Sequence, residues 1–158
     1  MNNEFIVGEF FTEESIKQKL FPNGVLINEL FISKLVAPNK EKVIKIDESL
    51  GKLKIRNLPE ALNDTDTQKY AESVPLTENE LLQILYLLIC DFNDGKSRRC
   101  LEVIGTKYYH SVSHHFHVKL SSGEFLGISF SRFGPFYLTA NKFDSGISGG
   151  MFCFLKFR

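Results

Sequence analysis

The stretch from Leu76 to Asn93, LTENELLQILYLLICDFN, decides how this chain folds, because its start, period and stop all indicate one helix. Thr77 and Glu80 form a T-x-x-E capping box, in which each side chain satisfies the other residue's free backbone N–H. Leu76 and Leu81 stand at the two positions of a hydrophobic staple. Beyond the cap, Leu81, Leu82, Leu85, Leu88, Ile89 and Phe92 recur at three- and four-residue spacings, while Ile84, Leu87 and Cys90 widen the apolar surface almost all the way round. Asn93-Asp94-Gly95 supplies the stop. The pattern predicts a core helix buried on most sides, and its apolar run is shorter than the roughly 20 residues a membrane span requires.

C-terminal to this helix the sequence turns to β-prone runs: Cys100 to Tyr109, His115 to Leu120, Glu124 to Phe133, Phe136 to Asn141 and Met151 to Phe157. Short turn signals such as Ser121-Ser122-Gly123 and Gly134-Pro135 separate them, which predicts an antiparallel meander. In the second run Phe116, Val118 and Leu120 alternate with His115, His117 and Lys119, so one face is apolar and the other polar.

Toward the N-terminus, Thr12 caps a short helix whose Glu13 and Glu14 suit the helix dipole and whose Phe11 can staple to Ile16; Pro22-Asn23-Gly24 ends it. From Val25 to Val36 the residues suit a helical stripe or a strand, with helix the preferred reading. Val43 to Ile46 and Leu53 to Arg56 read as a hairpin, and residues 57 to 75, with Asp64 and Asp66, as an acidic connection.

The expected fold is one α+β domain over residues 1–158. An antiparallel C-terminal sheet of about five strands packs on the central amphipathic helix and the N-terminal helices. The same element order accommodates a curved-sheet cone with an internal ligand pocket.

Hydrophobic residues make up 43% of the 158 and charged residues 24%, which argues against extensive disorder. The zero net charge hides an asymmetry: residues 1 to 95 carry −6 and residues 96 to 158 carry +6. The N-terminus is acidic where a secretory signal requires positive charge, and Cys90, Cys100 and Cys153 are odd in number and widely spaced. Both point to a cytoplasmic protein with reduced thiols and no membrane segment.

No catalytic motif stands in its required context. Gly146-Ile147-Ser148-Gly149-Gly150 matches the G-x-S-x-G elbow of hydrolases, yet a strand-like run follows it and no histidine or acid remains downstream. All four histidines fall within residues 110 to 117. His115 and His117 share one strand face, which suits polar surface, a metal pair, or acid–base chemistry with Lys119, Arg132 and Tyr137 nearby. Aromatic residues on a basic sheet also suit stacking of single-stranded RNA.

The leading expectation is a non-enzymatic protein that binds another macromolecule, in the manner of a small inhibitor, antitoxin or immunity-type protein. Its partner is a protein, with a basic one favoured by the acidic connection, and nucleic acid ranks second. The expected contact residues are Asp64, Asp66, His115, His117, Arg132 and Tyr137, with no metal and no cofactor. The alternative is an enzyme or ligand carrier with a pocket that uses His115 and His117 for metal- or RNA-directed chemistry.

Overall fold

The computed structural model describes residues 3–20, 25–46, 53–57, 76–93, 101–104, 113–131, 136–142 and 153–156. Chain order runs β1 (Glu4–Ile6), α1 (Val7–Phe10), α2 (Glu13–Leu20), β2 (Val25–Ile27) and α3 (Glu29–Phe31). A π-helical turn (Ile32–Val36) and a 3-10 turn (Ala37–Asn39) follow, then β3 (Val43–Lys45), β4 (Leu53–Asn57) and α4 (Glu78–Asn93). The remaining strands are β5 (Leu101–Ile104), β6 (Ser113–Lys119), β7 (Phe125–Ser131), β8 (Phe136–Lys142) and β9 (Cys153–Lys156). The chain is therefore a mixed α+β protein.

Helix α4 begins as its sequence dictates. The Glu80 N–H donates to Thr77 Oγ1 at 3.2 Å, and the Thr77 N–H donates to Glu80 Oε2 at 2.9 Å. Leu76 and Leu81 are both buried, closing the staple. From Leu81 to Leu87 every residue is buried, so the helix is enclosed on nearly every side over those two turns.

Helix α2 opens in the same way. The Ser15 N–H donates to Thr12 Oγ1 at 3.0 Å, and Phe11 and Ile16 are both wholly buried. Phe5, Phe10 and Phe11 meet Tyr86 of α4 in an aromatic cluster, where Phe5 stacks on Tyr86 with ring centroids 4.3 Å apart. Burial pushes the Tyr86 phenol up to about 12, with the neighbouring Cys90 adding to the shift.

Residues 25 to 36 resolve into both readings: β2 covers the first three, and helical turns cover 29 to 36. Asn28 makes the change of conformation by capping α3, its Oδ1 accepting from the Phe31 N–H at 3.0 Å.

Strand pairing departs from the sequence expectation in two places. The expected hairpin of 43–46 with 53–56 does not form. Instead β3 pairs antiparallel with β1, aligning Ile44 with Phe5, and β4 pairs with β5 in parallel and with β9 antiparallel. Ile44 and Phe5 are both buried, so the core beside α4 selects this partner over the sequence neighbour.

Second, the five C-terminal strands divide between two sheets. One has the order β2-β8-β7-β6 and the other β5-β4-β9. Only β6, β7 and β8 keep the expected antiparallel meander, and β2 extends it in parallel along β8.

The core lies on one side of the four-stranded sheet. Val118, Leu120, Leu126, Ile128, Leu138 and Ala140 join the buried cluster that contains α4, Phe31 and Leu35. Ladder register aligns Val118 with Leu126 and Ile128 with Ala140, so one parity of each strand faces the helices.

Candidate functional site

Strand parity defines the second face of the four-stranded sheet. Lys119 is exposed, and Phe125, Gly127, Ser129 and Thr139 are half-buried, at positions that alternate with the core residues. His115 and His117 occupy the same parity of β6 as Lys119, and Tyr137 the same parity of β8 as Thr139. The ladders align His115 with Ser129 and Ser129 with Thr139; they also align His117 with Gly127 and Tyr137 with Ser131. Three of the six expected contact residues, His115, His117 and Tyr137, thus fall at positions of one sheet face. Asp64, Asp66 and Arg132 lie outside the described residues, as do the acidic connection and the 146–150 glycine motif.

Beside this face, at the start of α4, is a cleft of about 390 Å3 lined by Lys42, Leu76, Thr77, Glu78, Asn79, Lys119, Leu120 and Ser121. Its centre is Glu78. Oε1 accepts from the Ser121 N–H at 2.9 Å and from Ser121 Oγ at 3.1 Å, and Oε2 accepts from Asn39 Nδ2 at 2.9 Å. Asn39 is itself buried and donates to the Leu35 carbonyl at 2.8 Å. Burial by itself would raise the Glu78 carboxyl. The hydrogen bonds from Asn39 and Ser121 and the positive charge of Lys42 outweigh it, and the carboxyl is held below its ordinary value of 4.5.

Glu78 therefore acts as a fastener between the 3-10 turn, the helix and the β6–β7 turn. The helix start is closed by its own Thr77 and Glu80, and Lys42 offsets the Glu78 charge. The lining carries two cations, Lys42 and Lys119, and one anion, Glu78, whose carboxylate is committed to Asn39 and Ser121, so the role of Glu78 here is structural cohesion.

Sequence reasoning foresaw the cap and the Ser121-Ser122-Gly123 turn but not the link between them. Glu78 and Ser121 are 43 residues apart, and nothing local in either marks the other. Among the described residues no group of three or more His, Cys, Asp or Glu is placed to hold a metal ion. Nor is any described helix long and apolar enough to cross a membrane.

The acidic residues at the N-terminal end are more open. Glu9 on α1 and Glu13 and Glu14 in the first turn of α2 are all exposed, with Phe11 and Thr12 between the helices. In comparison with known proteins, no family model matches the chain, and no curated protein or solved structure is significantly similar to it.

Proposed function

We propose that this is a non-enzymatic protein that works by binding another macromolecule, as a small cytoplasmic inhibitor, antitoxin or immunity-type protein does. The observation that supports it is the register of β6. His115 and His117 share the parity of the exposed Lys119, on the opposite side of the sheet from the apolar core. Polar residues at such positions suit a recognition surface better than an enclosed catalytic pocket.

The partner is a basic protein. Exposed Glu9, Glu13 and Glu14 extend the acidic character of residues 1 to 95, and with Asp64 and Asp66 they supply a field that steers a positively charged partner into contact. The alternative, a pocket enzyme or carrier built on His115 and His117, predicts metal uptake or turnover that depends on those two residues.

Affinity capture from native lysate, with mass spectrometry of bound protein, metal and nucleic acid, tests the reading. A basic protein is expected, bound with an association rate that falls with salt and falls again when Asp64 and Asp66 are reversed to Lys. Replacing His115 and His117 together with Gln is expected to change that affinity only modestly. Stoichiometric zinc, or catalysis lost in the histidine double variant, would replace this reading with the alternative.

A further inference from the structure

We propose that the outer edge of β3 is a docking edge for an extended, acidic peptide segment of a partner protein, which adds to the β1-β3 sheet as a third strand. This contact is separate from the one with a basic partner. The ladder fixes which backbone groups face outward. The Ile46 N–H donates to the Asn3 carbonyl at 2.7 Å and the Val7 N–H to the Lys42 carbonyl at 3.0 Å, so the bonded pairs of this antiparallel ladder are Asn3 with Ile46, Phe5 with Ile44 and Val7 with Lys42. Val43 and Lys45 fall at the alternate pairs and turn their N–H and carbonyl groups away from β1. Among the described residues nothing pairs with those groups, and the sheet has no strand beyond β3. Strand addition completes an edge of this kind.

Side chains and charge specify the strand that fits. Val43 is 50% exposed, the only exposed large hydrophobic among the described residues, and it stands across the ladder from half-buried Ile6. The two offer a small apolar contact to one side chain of an added strand. Lys40, Lys42 and Lys45 are exposed along the edge, and Glu41 is the only carboxylate in residues 40 to 45, which leaves that run a net charge of +2. Edge lysines deter indiscriminate pairing, and an acidic strand turns the same charges into an attraction. A second copy of this chain is the poorer occupant, because β3 laid against β3 sets two such cationic runs side by side.

The test is fluorescence anisotropy of the full chain with short labelled peptides: one alternating valine with glutamate, its counterpart with lysine in place of glutamate, and the acidic peptide with every amide N-methylated. Saturable binding of the unmodified acidic peptide alone, weakened by salt, is expected. Val43→Pro removes an outward N–H that β1 does not use and is expected to weaken binding by about fivefold or more, whereas Val43→Thr retains that N–H and should stay within about twofold of the parent. Lys45→Glu is expected to weaken binding by about fivefold, and by less at high salt. Lys45 is exposed, so its variant and the N-methylated peptide decide the question even where Val43→Pro disturbs folding. Glu13→Lys with Glu14→Lys is expected to leave peptide binding undiminished while impairing the basic protein partner, which keeps failure of one contact distinct from failure of the other. No saturable binding of the acidic peptide at low salt, equal binding of the basic or the N-methylated peptide, or an unchanged affinity in Lys45→Glu overturns the proposal. So does a dimer in sedimentation analysis that Val43→Pro dissociates, which gives the edge to a second copy.

Discussion

Asn28 pairs with the backbone of Ala140 as though its side-chain amide were another peptide group. Its Nδ2 donates to the Ala140 carbonyl at 2.7 Å, and its Oδ1 accepts from the Ala140 N–H at 2.9 Å. Strand β2 runs parallel to β8 only as far as Ile27 and Leu138, so the amide adds a further pair of bonds where the backbone has already turned into α3. The same Oδ1 caps that helix.

Removal of this amide is therefore expected to be costly. Asn28→Ala leaves the N–H and carbonyl of Ala140, which is 1% exposed, without their partner, and leaves α3 uncapped. A loss of about 2 to 4 kcal/mol is expected in chemical denaturation. Asn28→Asp retains the acceptor but sets a carboxylate oxygen against the Ala140 carbonyl, so it should also destabilise, and less so at acid pH where it can protonate. A parent-like midpoint for Asn28→Ala would show that the amide pairing contributes nothing.

Glu78 gives the fold an acid-sensitive fastening. Its folded carboxyl titrates below the ordinary 4.5, through hydrogen bonds from Asn39 and Ser121 and the charge of Lys42 acting against burial. The associated stability is fully present above the ordinary value and is lost as pH falls through the folded one. Glu78→Gln puts amide hydrogens where the site holds only donors. It should be less stable than the parent at neutral pH, with the gap narrowing below about pH 4.5. Urea midpoints measured across that range decide it, and a constant gap down to strong acid would exclude Glu78 as the titrating group.

How far the fold was legible depended on sequence distance. The T-x-x-E box at Thr77 and Glu80 and the cap at Thr12 each need only four consecutive residues, and both form. The alternation of Val118 with Lys119 was equally local. Pairing of Ile44 with Phe5 rather than with the next strand was not, because a buried cluster built from distant segments chose the partner. The bond from Asn28 to a residue 112 positions away likewise has no local signature. For the candidate site, parity located His115 and His117 opposite the core, but the Glu78–Ser121 link emerged only from the folded arrangement.

The central helix yields a paired prediction. Thr77→Ala removes the oxygen that accepts the Glu80 N–H and should cost about 1 kcal/mol. Leu85 is wholly buried, and Leu85→Asp places an unpaired charge in the core, which should abolish cooperative unfolding. Circular dichroism with denaturant titration separates a shifted midpoint from a lost transition, and two parent-like curves would refute the helix as the centre of the core.

Two glycines are needed for different reasons, and substitution can tell them apart. The Gly8 N–H donates to the Lys40 carbonyl at 3.0 Å, and a Cβ added there would lie 2.5 Å from Lys40 Cγ and 2.9 Å from that same carbonyl oxygen. The obstacle is close approach of two backbones. Gly8→Ala should force α1 away from the 37–42 turn at a cost of about 1 to 3 kcal/mol, and Gly8→Asn should cost more. Gly123 has open space around it but a φ of +87°, so the obstacle there is conformation alone. Gly123→Ala should cost about 1 kcal/mol, and Gly123→Asn should cost less, since asparagine tolerates positive φ. The opposite order of Ala and Asn at the two positions is the measurement that counts. Should Asn be the milder replacement at Gly8 as well, the contact with Lys40 is not what requires glycine.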